Sequence, residues 1–473
     1  MAPRPLTLDP DRLLPSEPSL RERARAIYRE ITDLPIVSPH GHVPASLLAD
    51  DRRLDDPAAL LITPDHYVTR LIHSQGVPLE DLGVPRRDGR EVESDPRAIW
   101  RLLCRHWNAF RATPSRFWLE WELHELFGVR TRPSPDTADE IYDRIEQTLA
   151  SPELRPRALY RRFNLEVLAT TDSPLSNLSD HLALRDDPAW DGRVIPTFRP
   201  DSLVDVASAD WAGSVAALGA MTGTDTTHFS GYLEALRSRR AAFADAGATA
   251  TDHGPRRADT TRLETAEAAT IYGRALAGKL DVGDSAAFGA HMLDEFARMS
   301  CDDGLVMQLH PGVHRNHDAG TATAFGPDVG ADIPAPTDYT NALQPLLNRY
   351  GSHPNFTLVV FTTDETTFSR ELAPLAGYYP AVRLGAPWWF LDAPDALRRF
   401  REATTDTAGF ANTAGFVDDT RAYCSIPARH DVARRIDSGY LARLAAEGRL
   451  DEDEVLDTAV DLAYRLAKAT FRL

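Results

Sequence analysis

Cysteine and lysine are the two shortages that shape this sequence. Only Cys104, Cys301 and Cys424 occur in 473 residues, far apart and odd in number. That excludes a disulfide framework and a cysteine-built zinc site, and it fits a reducing interior. Lysine is rarer still: Lys279 and Lys468 are the only two, so nearly all positive charge is arginine. Lys279 falls in a helix-like stretch, Ala275 to Leu280, and Lys468 near the C-terminus. Neither is placed to bridge two metal ions as a carbamate at a strand end, which favours a single ion wherever a metal is bound. There is no excess of basic charge either. A net charge of −18 excludes nucleic acid and anionic membrane surfaces as partners. A small anionic substrate stays open, because a few local arginines can hold it. No apolar run approaches membrane-spanning length, and Met1 to Pro18 is polar and proline-rich without the apolar centre of a signal peptide, so the expected location is the cytoplasm. A glycine-rich phosphate loop, a serine or cysteine nucleophile motif and a dinucleotide fingerprint are all missing, so no organic cofactor is expected.

What is present starts with Asp33-Leu34-Pro35-Ile36-Val37-Ser38-Pro39-His40-Gly41-His42, a short apolar run that stops at two histidines. In extended backbone, residues i and i+2 share a side, so His40 and His42 can face one ion, and Gly41 lets the chain turn out of the strand. A His-x-His pair alone reads more readily as two loop histidines. With 43% hydrophobic residues, the chain can bury either two ordinary cores or one large α/β barrel with insertions.

Ser19 to Ile31 has helical spacing and leads into a first strand, Leu34 to Ser38. Beyond His42 the pattern is helical for over a hundred residues: Ala45 to Asp50, Pro64 to Gln75, Pro96 to Ala112, Arg116 to Phe127 and Ala138 to Leu149. From residue 163 apolar runs alternate with helical segments, as in a parallel sheet with crossover helices. The candidate strands are Glu166 to Thr170, Arg193 to Phe198, Ala248 to Thr251, Leu305 to Leu309, Thr357 to Phe361, Val382 to Ala386 and Gly415 to Asp418. With the first strand these make eight β/α units, the count of a closed (β/α)8 TIM-type barrel with a large helical insertion after strand one. A doubly wound open sheet fits the same pattern. The expected organisation is residues 1–42 as leading helix and first strand, 43–160 as helical insertion, and 161–473 as the rest of the barrel with the C-terminal helices.

A barrel places functional side chains at the C-terminal ends of its strands. Those ends carry His40 and His42, Thr171-Asp172, Arg199-Pro200-Asp201, Asp252-His253, His310, Thr363-Asp364, Trp388-Trp389 and Asp419-Thr420-Arg421. First and last strands are neighbours in a closed barrel, so His40, His42 and Asp419 can meet around an ion. Asp418 points the other way if the strand continues. His310 suits a further ligand, a substrate contact or a buried structural histidine. Arg199 and Arg421 are guanidiniums of the kind that clamp carboxylates, unless they are merely solvated or salt-bridged within the protein. Asp65-His66-Tyr67 with Arg70 forms a polar cluster in the helical region, with His66 and Tyr67 reading equally well as surface residues. Trp388-Trp389-Phe390 is either core or a flat wall for a sugar.

These motifs together resemble the uronate isomerase (glucuronate isomerase) family, a divergent branch of the amidohydrolase superfamily. The resemblance runs through His40-Gly41-His42, Asp65-His66-Tyr67 with Arg70, Trp118 to Gly128, Thr170-Thr171-Asp172, Pro196 to Asp201, and Asp252-His253-Gly254. It continues through Met307 to His310 with Arg315-Asn316, Gly385 to Phe390 with Asp392, Asp419-Thr420-Arg421 and Arg429-His430. It implies a (β/α)8 barrel holding one divalent ion, zinc ahead of manganese, iron, cobalt or nickel, and interconversion of D-glucuronate with D-fructuronate and D-galacturonate with D-tagaturonate. It also implies His40, His42 and Asp419 at the metal, and His66, Tyr67, Arg199 and Arg421 on the substrate, with Asp252, His310, Trp388 and Trp389 around them. Members of the family often form homo-oligomers.

Aldose–ketose isomerisation through a cis-enediol needs a base at C2, an acid at C1 and polarised oxygens between them. Asp419, or water held by the ion beside it, is the expected base, Tyr67 and His66 stand at the acid side, and Tyr67 is the expected acid. The chain departs from the usual family sequence at Ser38-Pro39, Ser173, Pro311, His317-Asp318 and Asp418, changes that bear on substrate choice rather than on the ligands. Two other readings compete: a hydrolase of the same superfamily acting on a sugar-acid lactone or amide, and a silent sugar-acid-binding relative.

Overall fold

The barrel strands are short and, apart from Glu166, Arg193 and Arg383, buried on both faces, the condition that turns a strand into a continuous apolar run. The computed structural model describes residues 4–473, so the first three positions of the leading segment lie outside the described residues. Strands β1 (Ile36–Ser38), β2 (Leu165–Ala169) and β3 (Arg193–Ile195) pair in parallel in that order. Strands β4 (Ala250–His253), β5 (Val306–Leu309), β6 (Leu358–Val360) and β7 (Val382–Leu384) form a second parallel set in chain order. Phe198 joins the two sets by bridging Asp172 on one side and Thr251 on the other.

The ring is completed by an eighth stave that is not a regular strand. Thr413 bridges Leu384, and the His42 amide donates to the Thr420 carbonyl at 2.9 Å, so the stave touches β7 at one end and the chain after β1 at the other. A strand was expected over Gly415 to Asp418. Positive φ at Gly415 (73°) and Asp419 (37°) twists this stretch out of ladder geometry while its residues stay buried. Closure on both sides rules out the open doubly wound sheet.

Alternation sorts the strand residues. Ala250, Val306 and Val359 face the barrel interior with Phe361, while Met307, Leu309, Leu358 and Val360 face the outer helices. Leu473 packs against the inner residues of both strand sets, and Arg472 anchors it by donating to the carbonyls of Gly304 (2.6 Å) and Asn355 (2.9 Å). Between β1 and β2 a run of helices from Ala45 to Arg162 packs around Trp100, Phe110 and Phe127. Asp56, Asp65, Asp95 and Thr113 start four of these helices by accepting backbone N–H groups of the first turn. The helix Thr265–Leu276 ends before Lys279, which is exposed in the turn beyond rather than helical as expected. The Lys468 ammonium donates to Glu166 (2.6 Å) and to Tyr464 (3.0 Å), away from the site end of β2. Among the described residues no helix is long and apolar enough to cross a membrane.

Candidate active site

The chain leaving β1 is held between its neighbours. Thr171 Oγ1 donates to the Gly41 carbonyl at 2.8 Å, and a Cβ at Gly41 would lie 3.3 Å from the Thr420 carbonyl oxygen, so this position suits glycine. The result brings His40 and His42 to the eighth stave, where their Nε2 atoms lie 3.4 Å and 3.0 Å from the same oxygen of Asp419, Oδ1. The left-handed backbone at Asp419 aims that carboxylate inward. Its neighbour Asp418 turns the other way, accepting from Ser38 Oγ (2.9 Å) and lying 3.1 Å from His430 Nε2. Burial opposes ionisation of Asp419, yet His40 and His42 hold its carboxyl well below its ordinary value. Burial likewise disfavours a charged His40, but Asp419 and Asp252 outweigh it and hold the ring's pKa above normal.

A second group sits against the first. His310 stacks on His40 with centroids 4.7 Å apart, and its Nδ1 lies 2.6 Å from Asp252 Oδ1. A carboxylate only accepts, so Nδ1 carries the proton and Nε2 is left with a free lone pair. Arg199 lies 3.1 Å from the other Asp252 oxygen as an ion pair, not aligned as a hydrogen bond, and its Nε donates to Asp201 at 2.9 Å. Burial opposes the Asp252 charge; Arg199 and His310 overcome it and hold that carboxyl well below its ordinary value. His40 Nδ1, His310 Nε2, Asp252 Oδ2 and Asp419 Oδ1 are all buried without a hydrogen-bond partner among the described residues. Buried polar atoms are normally satisfied, so their convergence points to a bound group. Two overlapping donor sets, His40–His42–Asp419 and His40–Asp252–His310, each fall within 4.8 Å, a geometry and chemistry that can hold a divalent cation.

The helix His66–His73 supplies the facing wall. The His66 and Tyr67 rings stack at 4.8 Å, and His66 lies 5.5 Å from Trp389. Burial, then Arg421 and Arg70, push the His66 pKa well below normal, so its ring is neutral near pH 7. Tyr67 is buried, not a surface residue, and burial raises its phenol against the pull of Arg429. Trp388 meets His310 edge-on at 4.8 Å, while Arg315 lies over Trp389 at 4.8 Å. Arg421 is half-buried and has no ion pair among the described residues, whereas Arg199 is engaged by two carboxylates. A cavity of about 190 Å³ opens beside His42, with Thr170, Thr171, Asp172 and His181 in its wall.

The structure thus gathers His40, His42, Asp419, Asp252, His310, Arg199, His66, Tyr67, Trp388 and Trp389 at one end of the barrel, with Arg421 close enough to His66 to act on its charge. Residue-level reasoning gave no role to the buried pair behind Tyr67, Arg429 donating to Asp392 at 2.6 Å, with Arg429 over Trp118 at 3.6 Å. The available signal was Asp392 at the end of the apolar run Trp388 to Leu391; Arg429, followed by His430 and Asp431, carried none.

A closed parallel barrel with His-x-His after its first strand and an aspartate after its last is a barrel of the amidohydrolase type, with donor groups that could hold a metal. The glucuronate isomerase family model matches residues 18–471. A uronate isomerase from Rhizorhabdus wittichii is 54% identical over 473 residues, covering 100% of both chains. The crystal structure of glucuronate isomerase from Caulobacter crescentus superposes with a TM-score of 0.97 at 47% identity, covering 99% of this chain and 98% of that one. The uronate isomerase structure from Thermotoga maritima gives 0.91 at 28% identity, covering 98% and 99%. The chain belongs to the glucuronate isomerase family.

Proposed function

We propose that this protein interconverts hexuronate aldoses and ketoses, D-glucuronate with D-fructuronate and D-galacturonate with D-tagaturonate, through a cis-enediol and around one divalent ion. The observation that carries the reading is the convergence of His40, His42 and Asp419 opposite His66, Tyr67 and a guanidinium, Arg421, without an ion pair among the described residues, in a chain of this family. His40, His42 and Asp419 would hold the ion, with His310 Nε2 as a further donor, and two or three imidazoles with a carboxylate make zinc the first choice. When bound, the ion supplies polarisation of the sugar oxygens at C1 and C2.

The chain's own residues do the rest. Arg421 pairs with the substrate carboxylate, the one anionic group that distinguishes a uronate from a neutral sugar. Asp419 takes the C2 proton, which the neighbouring C1 carbonyl acidifies; O1 gains the proton that O2 gives up as the double bond moves from C1–O1 through C1–C2 to C2–O2, and Tyr67 delivers a proton to C1. His66, neutral, has a donor and an acceptor to offer sugar hydroxyls. Trp388 and Trp389 wall off water, and Arg199 keeps Asp252 charged so that His310 stays in one tautomer. A cytoplasmic setting fits three free cysteines, two of them buried.

The test is a proton NMR time course of metal-loaded protein with each uronate in deuterated water. Ketose formation with solvent deuterium entering C1 or C2 supports the reading. Unchanged sugars, with turnover of a sugar-acid lactone instead, would overturn it in favour of a hydrolase.

A further inference from the structure

Behind Tyr67 lies an acidic group that the reaction does not use. Glu122 is 2% exposed, and its carboxyl makes no hydrogen bond among the described residues. It sits where the helix Pro114–Trp121 widens into a π turn, Glu122–Leu126, the kind of irregularity that often marks a functional position. Its side chain borders a cavity of about 10 Å³, the room one water needs, shared with Asp65, Ser115, Trp118, Cys424 and Ser425.

Three titratable or charged groups face it, each from a different element. Asp65 comes from the start of the helix His66–His73, Cys424 from the turn Tyr423–Ser425, and Arg429 from the helix Ile426–Ala446. Arg429 is already bound to Asp392 and to Ser425 Oγ. Asp65 matters most: its Oδ1 accepts the Tyr67 amide at 2.8 Å and so fixes the first turn carrying His66 and Tyr67. Trp118, one turn before Glu122, meets the Tyr67 ring edge-on at 5.5 Å and 84°. Glu122 therefore shares one cavity with both groups that hold the catalytic helix, Asp65 and Trp118.

We propose that Glu122 is a positioning residue: as a neutral acid it donates across the cavity to Asp65 and locks the His66–Tyr67 turn, and on ionising it repels that cap and loosens the turn. Burial, with Asp65 adding to it and Arg429 opposing, pushes the Glu122 carboxyl up to about 8, so the switch lies on the alkaline side of neutrality. The activity arm of the test rests on the isomerase reading; the spectroscopic arm does not.

The experiment compares wild type, E122Q and E122A, all metal-loaded, from about pH 6 to pH 10. Glutamine copies the neutral acid and cannot ionise. E122A should lose about tenfold or more in kcat with KM within about twofold, the signature of a misplaced rather than missing group. E122Q should rescue most of that loss and lack the wild-type alkaline limb. Without substrate, wild-type minus E122Q infrared spectra should contain a protonated-carboxyl band at neutral pH. That band should fade with the same midpoint as a near-ultraviolet circular dichroism change, and the dichroism change should be missing in E122Q. Absence of the band, or an E122Q alkaline limb that coincides with wild type, overturns the proposal even if E122A fails to fold. A wild type that shows the band and turns over no uronate would refute the reaction and leave the proton on Glu122 established.

Discussion

Replacing Asp252 by asparagine is the sharpest test of how the site is built. The change removes one charge and almost no volume, so no cavity confuses the result. Asp252 is wholly buried and faces two donors, His310 Nδ1 at 2.6 Å and Arg199 at 3.1 Å. An amide has one acceptor and one donor end, so whichever way it turns, an N–H group opposes a donor. Breaking one side of a buried charge pair costs about 3–5 kcal/mol, and the quarter exposure of Arg199 puts this site near the lower figure. For 473 residues the unfolding entropy is roughly 1 kcal/mol per kelvin, so D252N should unfold about 3 °C lower. His310 loses the partner that fixes its tautomer, and disturbed partners of this kind weaken metal binding about 10–100-fold. Thermal unfolding of the metal-free and loaded protein, with metal content measured against a chelator of known affinity, reads both effects. A variant with wild-type unfolding and wild-type metal affinity would refute the reasoning.

The same carboxyl sets a pH dependence. Its folded pKa lies well below the ordinary 3.8, so its stabilisation is complete above that value and is lost as pH falls through the lower folded one. D252N should therefore show a flatter decline of unfolding temperature in acid than wild type. Tyr67→Phe removes the proposed acid and should cost about 10²–10⁴ in kcat while leaving KM and unfolding temperature near wild type; a kcat within a few fold would remove Tyr67 from the chemistry. Arg421→Met should raise KM for a uronate about tenfold or more through loss of a charge-assisted pair. Steady-state kinetics showing an unchanged KM would move the carboxylate elsewhere. Stripping the divalent ion with chelator should abolish turnover and lower the unfolding temperature, both restored by adding zinc or manganese.

Local pattern made the strands legible because parallel barrel strands are apolar on both faces. Each regular strand falls within two or three residues of its expected ends, and the ends were overrun where residues such as Phe198 only bridge neighbours. The eighth stave escaped because burial and ladder pairing usually coincide, and at Gly415 and Asp419 they separate. The helix read from Pro64 begins at His66, since Asp65 spends its carboxylate capping the turn. The strand-end rule located the histidines and Asp419, which depend on local chain direction. It gave nothing on the pairing of Arg199 with Asp252 or of Arg429 with Asp392, carboxylates from elements distant in sequence that closure of the barrel brings up.

The scarcity of lysine acquires a meaning beside reducing sugars. Open-chain aldoses and ketoses condense with free amines, and a protein that works among them is exposed to slow self-modification. Lys468 is tied to Glu166 and Tyr464, leaving Lys279, exposed in a turn of the outer layer, as the side-chain amine open to attack. The surface thereby offers few side-chain amines for glycation. For the same reason an amine-reactive dye or surface should couple to the side chains of this protein chiefly at one address.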